Sequence, residues 1–377
     1  VTANPDLYPA GRLAAVAAAV RAKGLDVLLL TPGPDLRYVT GYDAKQLERL
    51  TCLAVPADGA PFLVVPALEL KAAQASPAGG LDIPIRTWGE TDDPFRLISA
   101  ALGGARPAAR PAARSVALSD RTWALHVLSF MDAFPGAALH LASAVLAPLR
   151  MRKSPAEVAA LAEAGAAIDR VHARVPGWLR PGVTERQVGA KIAEAILAEG
   201  HAHVDFTIVG SGPNAASPHH EVSDRVIERG DVVVVDIGGT MPSGYCSDCT
   251  RTYAVGSAPD DFLAYYAVLK HAQEAATASV RPGVTAASVD AVARDIIADA
   301  GYGEWFIHRT GHGIGLESHE DPYIVEGNTI ALESGMAFSI EPGIYPGKHG
   351  ARIEDIVVCT DSGVARMNNL ARDLVVV

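Results

Sequence analysis

The sequence predicts an α+β protein of two domains: a smaller α/β domain over residues 1–148, then a larger domain over 149–377 built from two related halves. Three observations predict this. The first part mixes an alanine-rich helical segment with short apolar extended runs. A helix-start signal marks a boundary near residues 145–153. Beyond that boundary, a segment of turn, helix and strand recurs 101 residues later.

The first domain opens with a helix over about residues 9–23, which leads into the apolar strand Asp26–Thr31. Two more strands, Thr51–Pro56 and Pro61–Pro66, are joined by the turn-like ADGA, and Ser115–Asp120 is a further short strand. The repetitive proline and alanine of Gly103–Arg114 suit a surface loop. Arg37–Asp43 (RYVTGYD) reads as a strand end and turn, or as a polar–aromatic patch that touches a substrate. No catalytic cluster stands out in the first 150 residues.

Ser154–Glu157 (SPAE) is a capping box, with serine at the cap, proline at the first helical position and glutamate three residues after the cap. The helix it starts is expected to run to about Val175. RPGVT then occurs at Arg180–Thr184 and again at Arg281–Thr285. At that offset, positions 180–212 match 281–313 at 11 of 33 places, including Gly200/Gly301, Gly210/Gly311 and Gly212/Gly313. Chance would give roughly two or three matches for ordinary composition. Two copies are too few for a solenoid and suit two halves facing across a pseudo-two-fold axis. Further on, Ile227–Gly239 pairs with Ala331–Gly343, which places Asp236 on Glu341.

Composition limits the function classes. The net charge is −11, and an acidic surface repels phosphate backbones, so no nucleic-acid partner is expected. No apolar stretch approaches the roughly 18–20 residues of a membrane span. VTANPDLYPAGRL lacks the charged-then-apolar pattern of a signal peptide, so a cytoplasmic location is expected. Four cysteines are too few for a disulfide scaffold in 377 residues.

The repeat locates the chemistry. Asp236 and Glu341 each follow an apolar strand, and a second carboxylate follows each, Asp248 in YCSDCTR and Glu354 in ARIEDIVV. A hairpin could join each pair, and the duplication could bring both pairs to one point. An isolated buried charge is avoided unless it is paired or binds metal. Four converging carboxylates would repel and mostly protonate, whereas two divalent cations would neutralise them. Carboxylates plus one imidazole, with His312 in HRTGHGIGLESHED as the candidate, suit a hard ion such as manganese, with cobalt or zinc possible. The glycines around His312 let the backbone approach closely and leave room around the ring. One aspartate after a strand is more often a turn or cap; five such residues, two pairs of them related by a repeat, point to metal.

Other signals carry less. The C-x-x-C at Cys246–Cys249 has no second pair, so a structural zinc site is not expected. Both cysteines flank Asp248, and strand alternation is expected to aim them away from it. Gly311–Gly315 lacks the G-x-G-x-x-G spacing of a nucleotide loop.

Taken together, PHH (Pro218–His220), VVDIGG (Val234–Gly239), SDCTR (Ser247–Arg251), TGHGIGLESHED (Thr310–Asp321), EPGIY (Glu341–Tyr345) and RIED (Arg352–Asp355) resemble the pita-bread-fold metallopeptidases, which include methionine aminopeptidase, aminopeptidase P and prolidase. The long N-terminal domain favours the Xaa-Pro branch. The resemblance implies a C-terminal pita-bread domain and a dinuclear metal-dependent exopeptidase, an Xaa-Pro dipeptidase or aminopeptidase acting on short peptides with proline after the cut. A homodimer is expected. The metal set would be Asp236, Asp248, His312, Glu341 and Glu354. His219 would sit beside the metals; His308 and His319 would stabilise the tetrahedral intermediate; Arg352 would position substrate; Glu341 would also shuttle a proton. His219 and His220 could instead be surface residues, and His308 merely structural. Two other readings share the fold: a metal-free creatinase-like hydrolase of a small molecule, and a non-catalytic binding module. Both tolerate ligand loss, and none is seen.

Overall fold

The computed structural model describes residues 5–9, 11–104 and 114–377. They fall into two compact units, Val1–Arg150 and Met151–Val377. Residues 105–113 of the expected surface loop lie outside the described residues.

In the first unit, α1 (Gly11–Ala22), β1 (Val27–Leu30), α2 (Pro34–Thr40), β2 (Cys52–Pro56), β3 (Phe62–Pro66), α3 (Leu70–Ala75), β4 (Ile85–Trp88), α4 (Pro94–Gly104), β5 (Ser115–Leu118), α5 (Ala124–Ala133) and β6 (Ala138–Leu141) follow in order, and α6 (Ser143–Met151) leads out of it. The strands form one sheet in the order β4-β3-β2-β1-β5-β6. Its β1–β5 and β5–β6 pairs are parallel and its β1–β2 pair antiparallel. All four residues of β1 are buried, as the unbroken apolar run of a strand covered on both faces requires. Arg37–Asp43 is not a strand end. Arg37–Thr40 closes α2, which Pro34 starts and which stops at Gly41 in the left-handed conformation, φ 71°. Tyr38, Val39 and Thr40 carry strand propensity, which made this short helix look extended.

The second unit runs α7 (Pro155–His172), α8 (Glu185–Ala198), β7 (His203–Ser211), β8 (Val232–Thr240), β9 (Cys246–Ala254), α9 (Asp260–Ser279), α10 (Ala286–Asp299), β10 (Gly311–Gly313), β11 (Glu320–Ile324), β12 (Ala337–Ile340), β13 (Gly343–Ile344), β14 (Ala351–Arg352), β15 (Asp355–Thr360), β16 (Gly363–Arg366) and β17 (Val375–Val376). Ser154 and Glu157 form the expected capping box of α7, which ends three residues before Val175. One sheet has the order β17-β9-β8-β7, the other β11-β10-β12-β15-β16, and β13 pairs with β14.

The duplication is visible bond by bond. In each RPGVT, the glycine takes a positive φ, 91° at Gly182 and 88° at Gly283, and the threonine caps the next helix, Thr184 for α8 and Thr285 for α10. Gly182 N–H donates to the Ile227 carbonyl and Gly283 N–H to that of Leu332; Ile227 and Leu332 donate back to Val183 and Val284. Each half then packs two helices on its sheet. Ile168, Val188, Ile192, Val233, Val235 and Ile237 form one core, and Phe262, Leu269, Val289, Ile297, Phe338 and Val357 belong to the other. Strand alternation explains the aim of the carboxylates. Val233, Val235 and Ile237 of β8 face α7 and α8, so Val232, Val234 and Asp236 face the opposite side, where the halves meet.

Both carboxylate pairs are placed by antiparallel pairs of strands. In β8–β9, Asp236 is opposite Thr250 and Gly238 opposite Asp248, so Asp236 lies within its strand rather than after it. In β12–β15, Ile340 is opposite Asp355, which leaves Glu341 and Glu354 just beyond the paired ends. The cysteine expectation is half corrected. Cys249 does point away, into the core of the first half. Cys246 stands two residues from Asp248 and therefore on the same face, where its Sγ lies 3.6 Å from Thr240 Oγ1. Among the described residues, no helix is long and apolar enough to cross a membrane.

The glycines around His312 serve the packing of strands. A Cβ at Gly311 would stand 1.9 Å from the Ser339 carbonyl oxygen, and one at Gly313 would stand 2.2 Å from that of Asp321. Gly311→Ala is therefore expected to cost about 2–4 kcal/mol, read as a lowered urea midpoint. Gly11→Ala, with nothing within 4 Å of the new carbon, serves as a control that should not lose stability.

Candidate metal centre and active site

All five predicted ligands converge between the two halves. Asp236, Asp248 and Glu354 form one group, His312, Glu341 and Glu354 a second, and Asp248, His312 and His319 a third; within each group the ligand-capable atoms lie within 4.8 Å of one another. Asp236, Asp248, His312 and Glu354 are buried, at 7, 3, 2 and 1 % exposure. Burial, and then the neighbouring carboxylates, push the Asp248 and Glu354 carboxyls well above the usual carboxylate range.

Three features fit divalent cations. Asp236 Oδ1 and Glu354 Oε1 are buried with no hydrogen-bond partner. His312 Nδ1 donates to the Gly313 carbonyl at 3.1 Å, which in the neutral imidazole leaves the lone pair on Nε2. That nitrogen is 3.2 Å from Glu341 Oε1 and 3.6 Å from Asp248 Oδ2. A lone pair facing carboxylates is repulsive without a cation between them, and a backbone carbonyl fixing the far nitrogen is the usual support of a metal-binding histidine.

Neighbouring side chains hold the set in place. Thr250 Oγ1 donates to Glu354 Oε2 at 2.8 Å. Ser339 Oγ accepts from His312 N–H at 3.0 Å and donates to Glu341 Oε1 at 3.1 Å. Arg352 is buried, and its guanidinium reaches Asp236 Oδ2 at 2.5 Å, Thr250 Oγ1 at 3.0 Å, Tyr345 Oη at 3.0 Å and the Pro218 carbonyl at 3.1 Å. The Pro218 contact fixes the backbone just before His219.

A cavity of about 1050 Å³ opens above this floor, with His219, His308 and His319 in its wall. His219 is exposed there. His308 is more constrained than the sequence suggested. Its Nδ1 donates to the Arg309 carbonyl at 2.7 Å, and its Nε2 accepts from the Tyr345 hydroxyl at 3.0 Å. Burial lowers its pKa, so it is neutral near pH 7. Burial, then the neighbouring His312 ring and the Arg309 guanidinium, lower His319 to about 4. Arg309 Nη2 donates to His319 Nδ1 at 3.3 Å, which leaves the ring proton of neutral His319 on Nε2.

Residues 159–361 match metallopeptidase family M24, and residues 12–152 match the creatinase/prolidase N-terminal domain. The chain belongs to metallopeptidase family M24. It is 55 % identical to the probable dipeptidase PepE of Mycobacterium tuberculosis over 98 % of this chain and 96 % of that protein. It is 38 % identical to the Xaa-Pro dipeptidase of Lactobacillus helveticus over 93 and 95 %. The crystal structure of dipeptidase PepE from Mycobacterium ulcerans superposes with a TM-score of 0.93 at 56 % identity, covering 100 % of both chains. The α+β architecture predicted from the sequence, with a duplicated C-terminal pita-bread domain, is the one found. Like other M24 chains, this one is a metallopeptidase whose family membership implies divalent ions; the acidic and histidine groups above suit them.

Sequence reading missed two M24-domain carboxylates that anchor the site. Glu185, with a fully buried side chain, accepts from Ser211 N–H and Oγ, Ser223 Oγ, Asn214 Nδ2 and His220 Nε2. It ties down both ends of the segment carrying His219, and it makes His220 a bonded residue rather than a loose surface one. In the other half, Asp290 Oδ1 accepts from Thr310 N–H and Oγ1, two residues before His312. The repeat gave no signal for either. Glu185 aligns with Ala286, and Asp290 with Gly189.

Glu185 generates a pH prediction. Burial raises its carboxyl, but the bonds from Ser223, Ser211 and His220 outweigh that and hold it at about 2, against an ordinary 4.5. A carboxyl lowered in the folded state stabilises above the unfolded value and loses that contribution as pH falls towards the folded one. Wild type should exceed Glu185→Gln by about 3 kcal/mol at pH 6. The gap should shrink steadily between pH 4.5 and 2. Urea titrations across that range measure it; a pH-independent gap would contradict the assignment.

Proposed function

We propose that this M24 metallopeptidase is an Xaa-Pro dipeptidase, with residues 149–377 as its catalytic domain and Asp236, Asp248, His312, Glu341 and Glu354 as ligands of two divalent ions. The observation that carries the reading is the floor of the cavity. Four carboxylates and an outward-facing imidazole lone pair meet there, with two buried oxygens lacking a partner. The relative named as an Xaa-Pro dipeptidase supports the substrate class. The hard oxygen-rich set favours manganese, with cobalt as a substitute.

Divalent ions held by Asp236, Asp248, His312, Glu341 and Glu354 would supply an activated water and polarise the scissile carbonyl. The residues of the chain do the rest. Glu341 takes the proton of the attacking water and delivers it to the leaving nitrogen. That step is essential here, because the leaving nitrogen is that of the proline ring and carries no hydrogen of its own in the peptide. His319 presents Nε2–H as a donor to the oxygen that becomes negative. Arg352 acts as a positioning residue: its donors hold Asp236, Tyr345 and the backbone leading to His219. The Tyr345 hydroxyl in turn fixes the ring of His308. A metal-free hydrolase or a binding module is disfavoured, because all five positions keep ligand-type side chains.

Chelation should abolish hydrolysis of Xaa-Pro, and Mn²⁺ or Co²⁺ should restore it. Full turnover by a preparation shown to be metal-free would refute the reading. At saturating Mn²⁺, Glu341→Gln should lose about 10²–10⁴-fold in kcat while KM changes little, as removal of a proton carrier does. Asp236→Asn removes charge from the centre without removing a proton carrier, so counting bound metal in both variants separates the roles. A Glu341→Gln protein that binds two ions and turns over at the wild-type rate would exclude Glu341 as the shuttle.

A further inference from the structure

One buried ion pair takes no part in the mechanism above. Lys153 Nζ donates to Glu320 Oε1 at 2.6 Å across 167 residues of sequence, and the two side chains are 1 and 7 % exposed. Removing two charges from water offsets most of their attraction, so packed apolar residues of the same volume would stabilise this spot as well or better. What the pair supplies instead is a fixed point, because each buried charge has to stay with its partner.

The fixed point lies beside His319. Glu320 is the first residue of β11, the outer strand of its sheet, with β10 as its one neighbour among the described residues. Residues 314–319 before it form a bend outside any helix or strand. His319 therefore sits where an irregular segment joins a strand supported on one side, the kind of place that opens locally. Adjacent side chains leave a strand on opposite faces, so the imidazole of His319 lines the cavity while the carboxylate of Glu320 points away from it. That carboxylate also meets the start of the bend, since a Cβ at Gly315 would stand 2.7 Å from Glu320 Oε1. Both ends of the segment close on one carboxylate, and Lys153 holds it.

Lys153 has a rigid base. Its N–H donates to the Gly335 carbonyl at 2.8 Å, Arg152 pairs with Met336, and the capping box of α7 begins at Ser154. Gly335 and Met336 lead directly into β12, which ends one residue before Glu341. The ammonium thereby ties the segment of His319 to the strand that delivers Glu341.

We propose that Lys153 is a positioning residue: through Glu320 it holds His319 where its Nε2–H meets the developing oxyanion. The assignment rests on the role given to His319 under the Xaa-Pro reading and adds the pair that keeps this donor in place. A donor that drifts loses transition-state stabilisation, while substrate binding, which depends on other groups, changes little.

The test uses the manganese-loaded full chain with Ala-Pro. Lys153→Met/Glu320→Met removes both charges at nearly constant volume, so its urea midpoint should match or exceed that of wild type. Its kcat should nonetheless fall about 10- to 100-fold, with two ions still bound and KM changed by less than about threefold, as for a donor misplaced by roughly 1 Å. Lys153→Arg, which keeps the pair, should retain most of the activity. Glu320→Gln, which keeps one acceptor oxygen, should lie between, and it carries the same comparison where the double variant does not fold. The deciding measurement repeats the substitutions in His319→Ala. There kcat should not fall further, because the donor that the pair positions is already gone. An equal loss of kcat in both backgrounds would show a general structural role and overturn the assignment. So would wild-type kcat in a folded double variant, or a loss of activity explained by loss of bound metal. Each of these outcomes leaves the Xaa-Pro reading standing. A His319→Ala enzyme with wild-type kcat would instead remove His319 from the mechanism, and this assignment with it.

Discussion

Four carboxylates brought together on the buried floor of one domain's cavity repel one another, and the rest of the catalytic unit is arranged around that repulsion. Each anion is expensive to bury alone, and proximity raises the cost further. The chain meets part of it with its own groups: the guanidinium of Arg352 against Asp236, the hydroxyl of Thr250 against Glu354, and that of Ser339 against Glu341. These donors satisfy some oxygens and leave Asp236 Oδ1 and Glu354 Oε1 without any. A structure that neutralises most of a charge cluster, and leaves inward-facing oxygens bare, is prepared for a cation rather than for a proton.

Such a cluster must be held rigidly, because a strand that slipped by one residue would turn its carboxylate to the opposite face. Register is secured twice over. The apolar face of β8 is locked against α7 and α8 through Val233, Val235 and Ile237. The glycines of β10 bring its backbone so close to Ser339 and Asp321 that no side chain fits between. Glu185 and Asp290 then pin the segments that carry His219 and His312, one carboxylate in each half. The two lie at different positions of their helices, so the halves reach the same mechanical result by different residues.

Much of this was legible in the sequence because it is periodic or local. RPGVT announced a positive-φ glycine and a threonine cap, and both appear twice. The offset pairing of Asp236 with Glu341 places two carboxylates in equivalent parts of the two halves from the sequence alone. What escaped was non-local or non-repeating. The anchoring bonds of Glu185 join residues 26 to 38 positions apart, and nothing in its own neighbourhood marks it. Arg37–Thr40 was misread because β-branched and aromatic residues favour strands, whereas a proline start and a glycine stop decided for a helix. Cys246 shares the face of Asp248 because two steps along a strand return to the same face and one step does not.

The departures from symmetry are as informative as the symmetry. At the offset that relates the RPGVT segments, the counterpart of His312 is Ser211. The first half contributes no imidazole there, because Ser211 is drawn into the network around Glu185. Likewise, Asp236 sits within β8, while Glu341 stands beyond the end of β12 on a longer side chain. The duplicated frame therefore supplies four carboxylates almost evenly, but the imidazole comes from one side only. His312, His319 and Glu341 lie together on that side, beside Arg309. A symmetric centre would offer a peptide no preferred direction. This asymmetry distinguishes the side where the scissile carbonyl is handled from the side that only holds charge, and it gives a substrate with two different ends a single orientation in which to bind.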